Sequence, residues 1–211
     1  MDGMGEILKF PGDATRLGYS RVGKRARRID NPNQLDLFLP PPAQISNITS
    51  GLSAFEQALI CDERHDVRAA ELYAKAIEDE DCVADALCNL GIIESQRGNT
   101  AKAFDCFTNS LKQDPRHSEA HYNLANLYFE VNDFRLAQIH YEMAAAVDPA
   151  FANVYFNLAL VQSINNELVA AIGSLNKYQQ LVPADEACNA DELLRSLKAS
   201  LAGKVNTRLG R

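Results

Sequence analysis

The chain has 211 residues, 46% hydrophobic and 23% charged, with a formal net charge of -7, which is length enough for a core and a composition unlike that of a disordered or fibrous protein. Residues 1–49 carry seven Lys/Arg against five Asp/Glu and residues 50–211 fourteen against twenty-three, so the body is expected to resist nucleic acid and the N-terminal arm is the part that could contact it. No apolar run approaches the ~18 residues of a membrane span, the opening MDGMGEILKF lacks the basic-then-apolar order of a signal peptide, and five cysteines without a C-x-x-C pair fit reduced thiols in a cytoplasmic protein.

Residues 1–49 show no sustained helical period and are interrupted at Pro11, Pro32 and Pro40–Pro42, the pattern of a mostly disordered arm. Arg21, Lys24, Arg25, Arg27 and Arg28 form a basic cluster. It reads either as a solvated arm or as a weak contact for phosphate backbone or an acidic protein. With only Tyr19 as a neighbouring aromatic, sequence-specific nucleic-acid recognition is not implied. Further along, Gln34, Leu35, Asp36, Leu37 and Phe38 place three apolar side chains between prolines. This QLDLF string resembles the pentapeptide by which bacterial polymerases and repair proteins dock on the DNA sliding clamp, and all five positions match. The resemblance implies the clamp as a partner. The competing reading is a staple that packs Leu37 and Phe38 on the first helices of the body.

The body is governed by a period. Pro115, Pro149 and Pro183 are evenly spaced by 34 residues, and other positions recur in phase with them: Asn89, Asn123 and Asn157; Gly91, Ala125 and Ala159; Ala103, Ala137 and Ala171; Phe107, Tyr141 and Leu175. Self-similarity at one fixed period decides the architecture before any local reading. Within a unit, Ala84–Arg97 and Thr100–Gln113 both space apolar residues by three and four, so each is an amphipathic helix. The stretch RGNT at 97–100 separates them, as VNDF at 131–134 does in the next unit, with Asp133 as N-cap. Each proline closes its unit. Small residues in one helix face small residues in the other and allow close approach.

These residues resemble the tetratricopeptide repeat. The chain is therefore expected to be all-α, a helical-hairpin solenoid with a C-terminal capping helix behind a mostly disordered arm at 1–49. The expected units are a degenerate repeat at 50–83, in which Ala69, Tyr73 and Ala76 are in phase but Asp81 replaces the proline, and full repeats at 84–117, 118–151 and 152–185. A capping helix at 186–203 follows, with Leu193, Leu194, Leu197 and Leu201 on one side and Gly203 as its stop. The tail is 204–211. Leu87, Glu94 and Gln162 depart from aromatic slots of the pattern, and His121 and Tyr155 stand where the family prefers Trp.

The resemblance also implies a function, the binding of an extended peptide in a concave groove lined by first helices. The groove residues it points to are Asn89, Tyr122, Asn123, Asn126, Phe129, Phe156 and Asn157. An Asn amide both donates and accepts, so Asn89, Asn123 and Asn157 could form a ladder on a peptide main chain, or could simply be what this slot of the repeat prefers. Asp85, Glu119 and Glu130 also face the groove and no Lys or Arg does, so a basic or neutral ligand fits better than an acidic tail. His117 and His121 are four apart but lack a third metal ligand of suitable spacing, and no phosphate loop or triad grouping is present. The expectation is a non-enzymatic adaptor without metal or cofactor, binding protein, tethered to the clamp by its arm. The alternative is a general cytosolic scaffold or secretion-type chaperone with an inert arm.

Overall fold

The computed structural model describes residues 18–23 and 51–209. Among these residues every regular element is helical: α1 (Ala54–Glu63), α2 (Ala69–Glu78), α3 (Val83–Gln96), α4 (Thr100–Gln113), α5 (Ser118–Glu130), α6 (Phe134–Val147), α7 (Ala152–Ile164), α8 (Leu168–Leu181), the single turn α9 (Ala184–Ala187), a 3-10 turn at Cys188–Ala190 and α10 (Asp191–Leu209). Two compact units are formed. Of the described residues, one unit runs from Arg21 to Gln113 and holds α1–α4; the other takes residues 18–20 together with 114–209 and holds α5–α10. In both, consecutive helices pair as hairpins.

The hairpin bends obey the 34-residue period in their backbone as well as their sequence. Gly98, Asn132 and Asn166 sit at φ +78°, +63° and +66°, the left-handed region that Gly and Asn tolerate best. Next to the second of these, Asp133 caps α6 by accepting from the Leu136 N–H at 3.1 Å. The connection from α2 to α3, where Asp81 replaces the proline, is built differently. Glu80 and Cys82 both take positive φ, and the Asp81 carboxylate accepts from the Phe55 N–H at 2.9 Å, holding the start of α1. Ser53 and Glu56 complete a reciprocal capping box there, so the degenerate repeat has a well-defined first helix.

In the first unit Phe55, Ala58, Tyr73, Ala76, Ala86 and Ile93 form a continuous core. The α3–α4 pair is drawn close at Gly91, where an added Cβ would lie 2.7 Å from the Phe107 ring. In the second unit Ala125, Ala137, Tyr141, Val154 and Leu158 pack together. Leu193, Leu194 and Leu197 of α10 cover Ala171, Leu175 and Tyr178 of α8, the work of a terminal cap. The cap differs from its expected span. A short turn precedes it, α10 begins at Asp191, and it runs through Gly203 to Leu209. A Cβ added at Gly203 would meet nothing within 4 Å, and a helical glycine costs only ~1 kcal/mol, too little by itself to end the helix.

Departures from the repeat pattern are matched by polar partners. Buried Glu94 is 3.1 Å from Arg97 and accepts from Asn99 at 2.8 Å. Buried Gln162 accepts from the Ser174 hydroxyl at 2.8 Å. His121 and Tyr155, one repeat apart, each reach the carbonyl of the proline six residues before them, at 3.2 and 3.3 Å. With Nε2–H of His121 donating to Pro115, its Nδ1 is left to accept from His140 Nδ1–H, 3.0 Å away. Burial, reinforced by His121, lowers the His140 pKa from the ordinary 6.5 to about 4, and burial also lowers that of His121.

Two predictions test this packing. Gly91→Ala should destabilise the protein by ~1–3 kcal/mol through overpacking on Phe107, whereas Gly173→Ala, at an exposed helical site with nothing within 4 Å, should stabilise it by up to ~1 kcal/mol; denaturant midpoints separate the two. Because the folded-state pKa of His140 lies below its unfolded value, its neutral form supports folding above pH 6.5, and that support is lost as pH falls toward 4. After allowance for partial exposure, the loss between pH 7 and 5 should be about 1 kcal/mol. Replacing His140 with Phe should flatten the pH dependence of urea unfolding over that interval.

Candidate peptide-binding faces

The face of the first unit is centred on Asn89 in α3, which is fully buried. A buried primary amide must find both donor and acceptor partners. Asn89 finds them on the chain's own N-terminal arm: Oδ1 accepts from the Val22 N–H at 2.8 Å and Nδ2 donates to the Val22 carbonyl at 2.9 Å. Nδ2 also donates to the Tyr73 hydroxyl at 3.2 Å, which in turn donates to the Asp62 carboxylate at 3.3 Å. Asp62 is itself buried and pairs with the guanidinium of Arg21, Nε to Oδ2 2.8 Å. The bonds thus close a ring from the Val22 main chain through Asn89, Tyr73 and Asp62 to the side chain of Arg21. Burial, with the nearby Asp62 charge, raises the Tyr73 pKa well above the ordinary phenol value, so the hydroxyl remains a donor. The Val22 side chain is 1% exposed.

In the second unit Asn123, one repeat later, makes the same pair of bonds to Ser20: N–H to Oδ1 and Nδ2 to carbonyl, both 2.8 Å. Asn126 donates to the Gly18 carbonyl at 3.4 Å, and the Tyr19 hydroxyl donates to Glu130 at 3.0 Å. Asn126 is oriented from behind, its Oδ1 accepting from the Tyr141 hydroxyl at 2.6 Å and from Asn157 at 3.3 Å. Gly18 and Ser20, the two main-chain groups held in this unit, are two residues apart, as are the groups that one edge of an extended segment presents.

The other groove residues named from sequence have other surroundings. Asn157 donates to Asn126 and to the Tyr122 hydroxyl at 3.1 Å and meets no arm residue among those described. Tyr122 is buried against Tyr141 and Phe151, Phe129 packs edge-on to Phe134, and Phe156 lies on Tyr178. Of the basic cluster, Arg21 is described, and it is an ion-pair partner rather than a solvated charge. The remaining cluster residues and Gln34–Phe38 lie outside the described residues. His117 accepts from the Ala120 N–H and caps α5.

Sequence reasoning missed Asp62 and Tyr73 as members of a site, because α1 matches the repeat pattern poorly and Tyr73 reads as core. It also missed the arm as an occupant. The available signal was charge: a locally basic arm on an acidic body.

Residues 94–155 match the family described as tetratricopeptide repeat, and the fold is all-α, of the tetratricopeptide helical-hairpin type. Mouse (Mus musculus) tetratricopeptide repeat protein 8 is 29% identical over 125 residues, 59% of this chain and 24% of the relative. The chain therefore spans about a quarter of the length of that relative. Among solved structures, the first repeat domain of Spaghetti (RPAP3) bound to HSP90 peptide SRMEEVD has a TM-score of 0.53 at 24% identity, covering 56% of this chain and 93% of that one. MamA from Desulfovibrio magneticus RS-1 has a TM-score of 0.55 at 18% identity, covering 75% and 94%. No helix among the described residues is long and apolar enough to cross a membrane.

Proposed function

We propose that this protein is a non-enzymatic interaction adaptor that holds an extended peptide on the first-helix faces of its repeats. Asn89 in the first unit and Asn123 in the second each grip a main chain, and Asn126 adds a contact beside Asn123. The observation that carries this reading is the doubled hydrogen bond from each of the two asparagines to the N–H and carbonyl of a single arm residue. Such bonds recognise a backbone rather than a side chain, so they suit a peptide ligand. Tyr122, Phe129, Phe156 and Asn157 support this face from within. The ligand chemistry follows from charge: Asp62 and Glu130 both receive cationic or hydrogen-bond-donating groups, which disfavours an acidic tail such as the peptide carried by the Spaghetti structure.

For the arm, the reading that the sequence favours is docking of Gln34, Leu35, Asp36, Leu37 and Phe38 on a bacterial DNA sliding clamp, in the cytoplasm, with the basic residues beside it in weak contact with DNA. All five positions of the pentapeptide support this. A chain that grips peptide with its repeats and the clamp with its arm would bring a second protein to DNA.

In a chain whose own segment is displaced by Arg21→Glu and Val22→Asp, Asn89→Ala with Asn123→Ala should reduce capture of peptides from a random extended-peptide library at least tenfold, while circular dichroism stays helical; unchanged capture would remove the asparagines from the site. A synthetic peptide spanning Asn31–Pro42 should bind the clamp with a dissociation constant on the order of micromolar. Leu37→Ala with Phe38→Ala should abolish that binding, and equal binding by the double variant would remove the clamp from the reading.

A further inference from the structure

We infer that the face built on Asn89 selects an extended peptide in which a cationic residue immediately precedes a buried aliphatic one, and that Arg21–Val22 is its internal occupant, so a partner segment of this class enters only as the chain's own segment leaves. The inference rests on the peptide-binding reading above and adds what is bound and what competes for it.

The asparagine bonds alone are indifferent to sequence, since every residue but proline offers an N–H and a carbonyl. Selectivity must come from the side chains. Two of them are specified in the first unit. Val22 is 1% exposed, and a polar or charged residue there would be desolvated without a partner. Asp62 is 5% exposed and its ion-pair partner among the described residues is Arg21. If Arg21 withdraws, the Tyr73 hydroxyl is left as the described hydrogen-bond donor to a buried carboxylate. That is an unfavourable state, and an incoming cation relieves it. The face therefore demands a positive charge one residue before the gripped, apolar position. The same demand explains why this arm, with Arg21 beside Val22, occupies it.

An occupant on the same chain competes at an effective concentration set by covalent linkage and not by the amount of protein present. A free peptide therefore meets a filled face. A partner gains access by carrying a better version of the same dipeptide or by holding the arm elsewhere.

The test uses the full chain and a fluorescently labelled synthetic copy of Gly18–Gly23, read by anisotropy. The chain carrying Arg21→Glu and Val22→Asp should bind the copy at least tenfold more tightly than the unaltered chain, because its own segment no longer fits. Val22→Pro, which removes the gripped N–H without altering a repeat, should open the face similarly. Copies carrying Arg21→Glu or Val22→Asp should fail to bind the opened chain. Equal binding of the copy to altered and unaltered chains would overturn the internal occupancy while leaving a peptide-binding face. If the opened chain ignores the copy yet captures library peptides through Asn89 and Asn123, the dipeptide class is wrong and the asparagine reading survives. Absence of both kinds of binding would overturn both.

Discussion

A buried carboxamide has to be answered on both its donor and its acceptor side, and in this protein that requirement organises the face around it. Asn89 has no exposed surface. Its helix cannot answer it, because the α3 main chain is already committed to its own ladder. The answer comes from Val22, from Tyr73 and, through Tyr73, from Asp62 and Arg21. Remove Arg21 and Val22 and two amide bonds are lost, along with the cation that offsets Asp62. Occupied and unoccupied states therefore differ in charge pairing as well as in contact, which makes the face selective.

The same accounting runs through the repeats. Where a position departs from the apolar repeat pattern, the replacement is polar, half-buried or buried, and satisfied: Glu94 by Arg97 and Asn99, Gln162 by Ser174, His121 by Pro115 and His140. Close packing at Gly91 and burial at Phe107 supply the apolar complement. Each of these polar groups meets its partner within twenty residues along the chain, in its own repeat or at the end of the one before.

Much of this was legible in the residues. A 34-residue period with Pro115, Pro149 and Pro183 in phase, together with the resemblance to the tetratricopeptide repeat, points to helical hairpins, and Ala125 with Ala137 and Ala159 with Ala171 share their cores. Asp133 as a cap follows from its side-chain chemistry, and so does the pairing of acidic faces with basic or neutral ligands as an expectation. Asn89 and Asn123 could be singled out because an amide that recurs in one slot of the repeat has a clear use on a peptide main chain, and Asn126 because the resemblance implies that its face lines a groove.

Other features needed three dimensions. The period could not say that Asn157 is turned to Tyr122 and Asn126, because three asparagines in one slot look alike until their neighbours differ. It could not show that Asp62 is buried, because burial of a carboxylate depends on an ion-pair partner more than forty residues away in sequence. It could not extend α10 past Gly203, because whether a helix ends at a glycine depends on what else opposes its continuing. Nor could it show that Gly18, Ser20 and Val22 meet the repeats. Local pattern reports which groups a segment offers, and only tertiary structure decides which partner at long sequence separation accepts them.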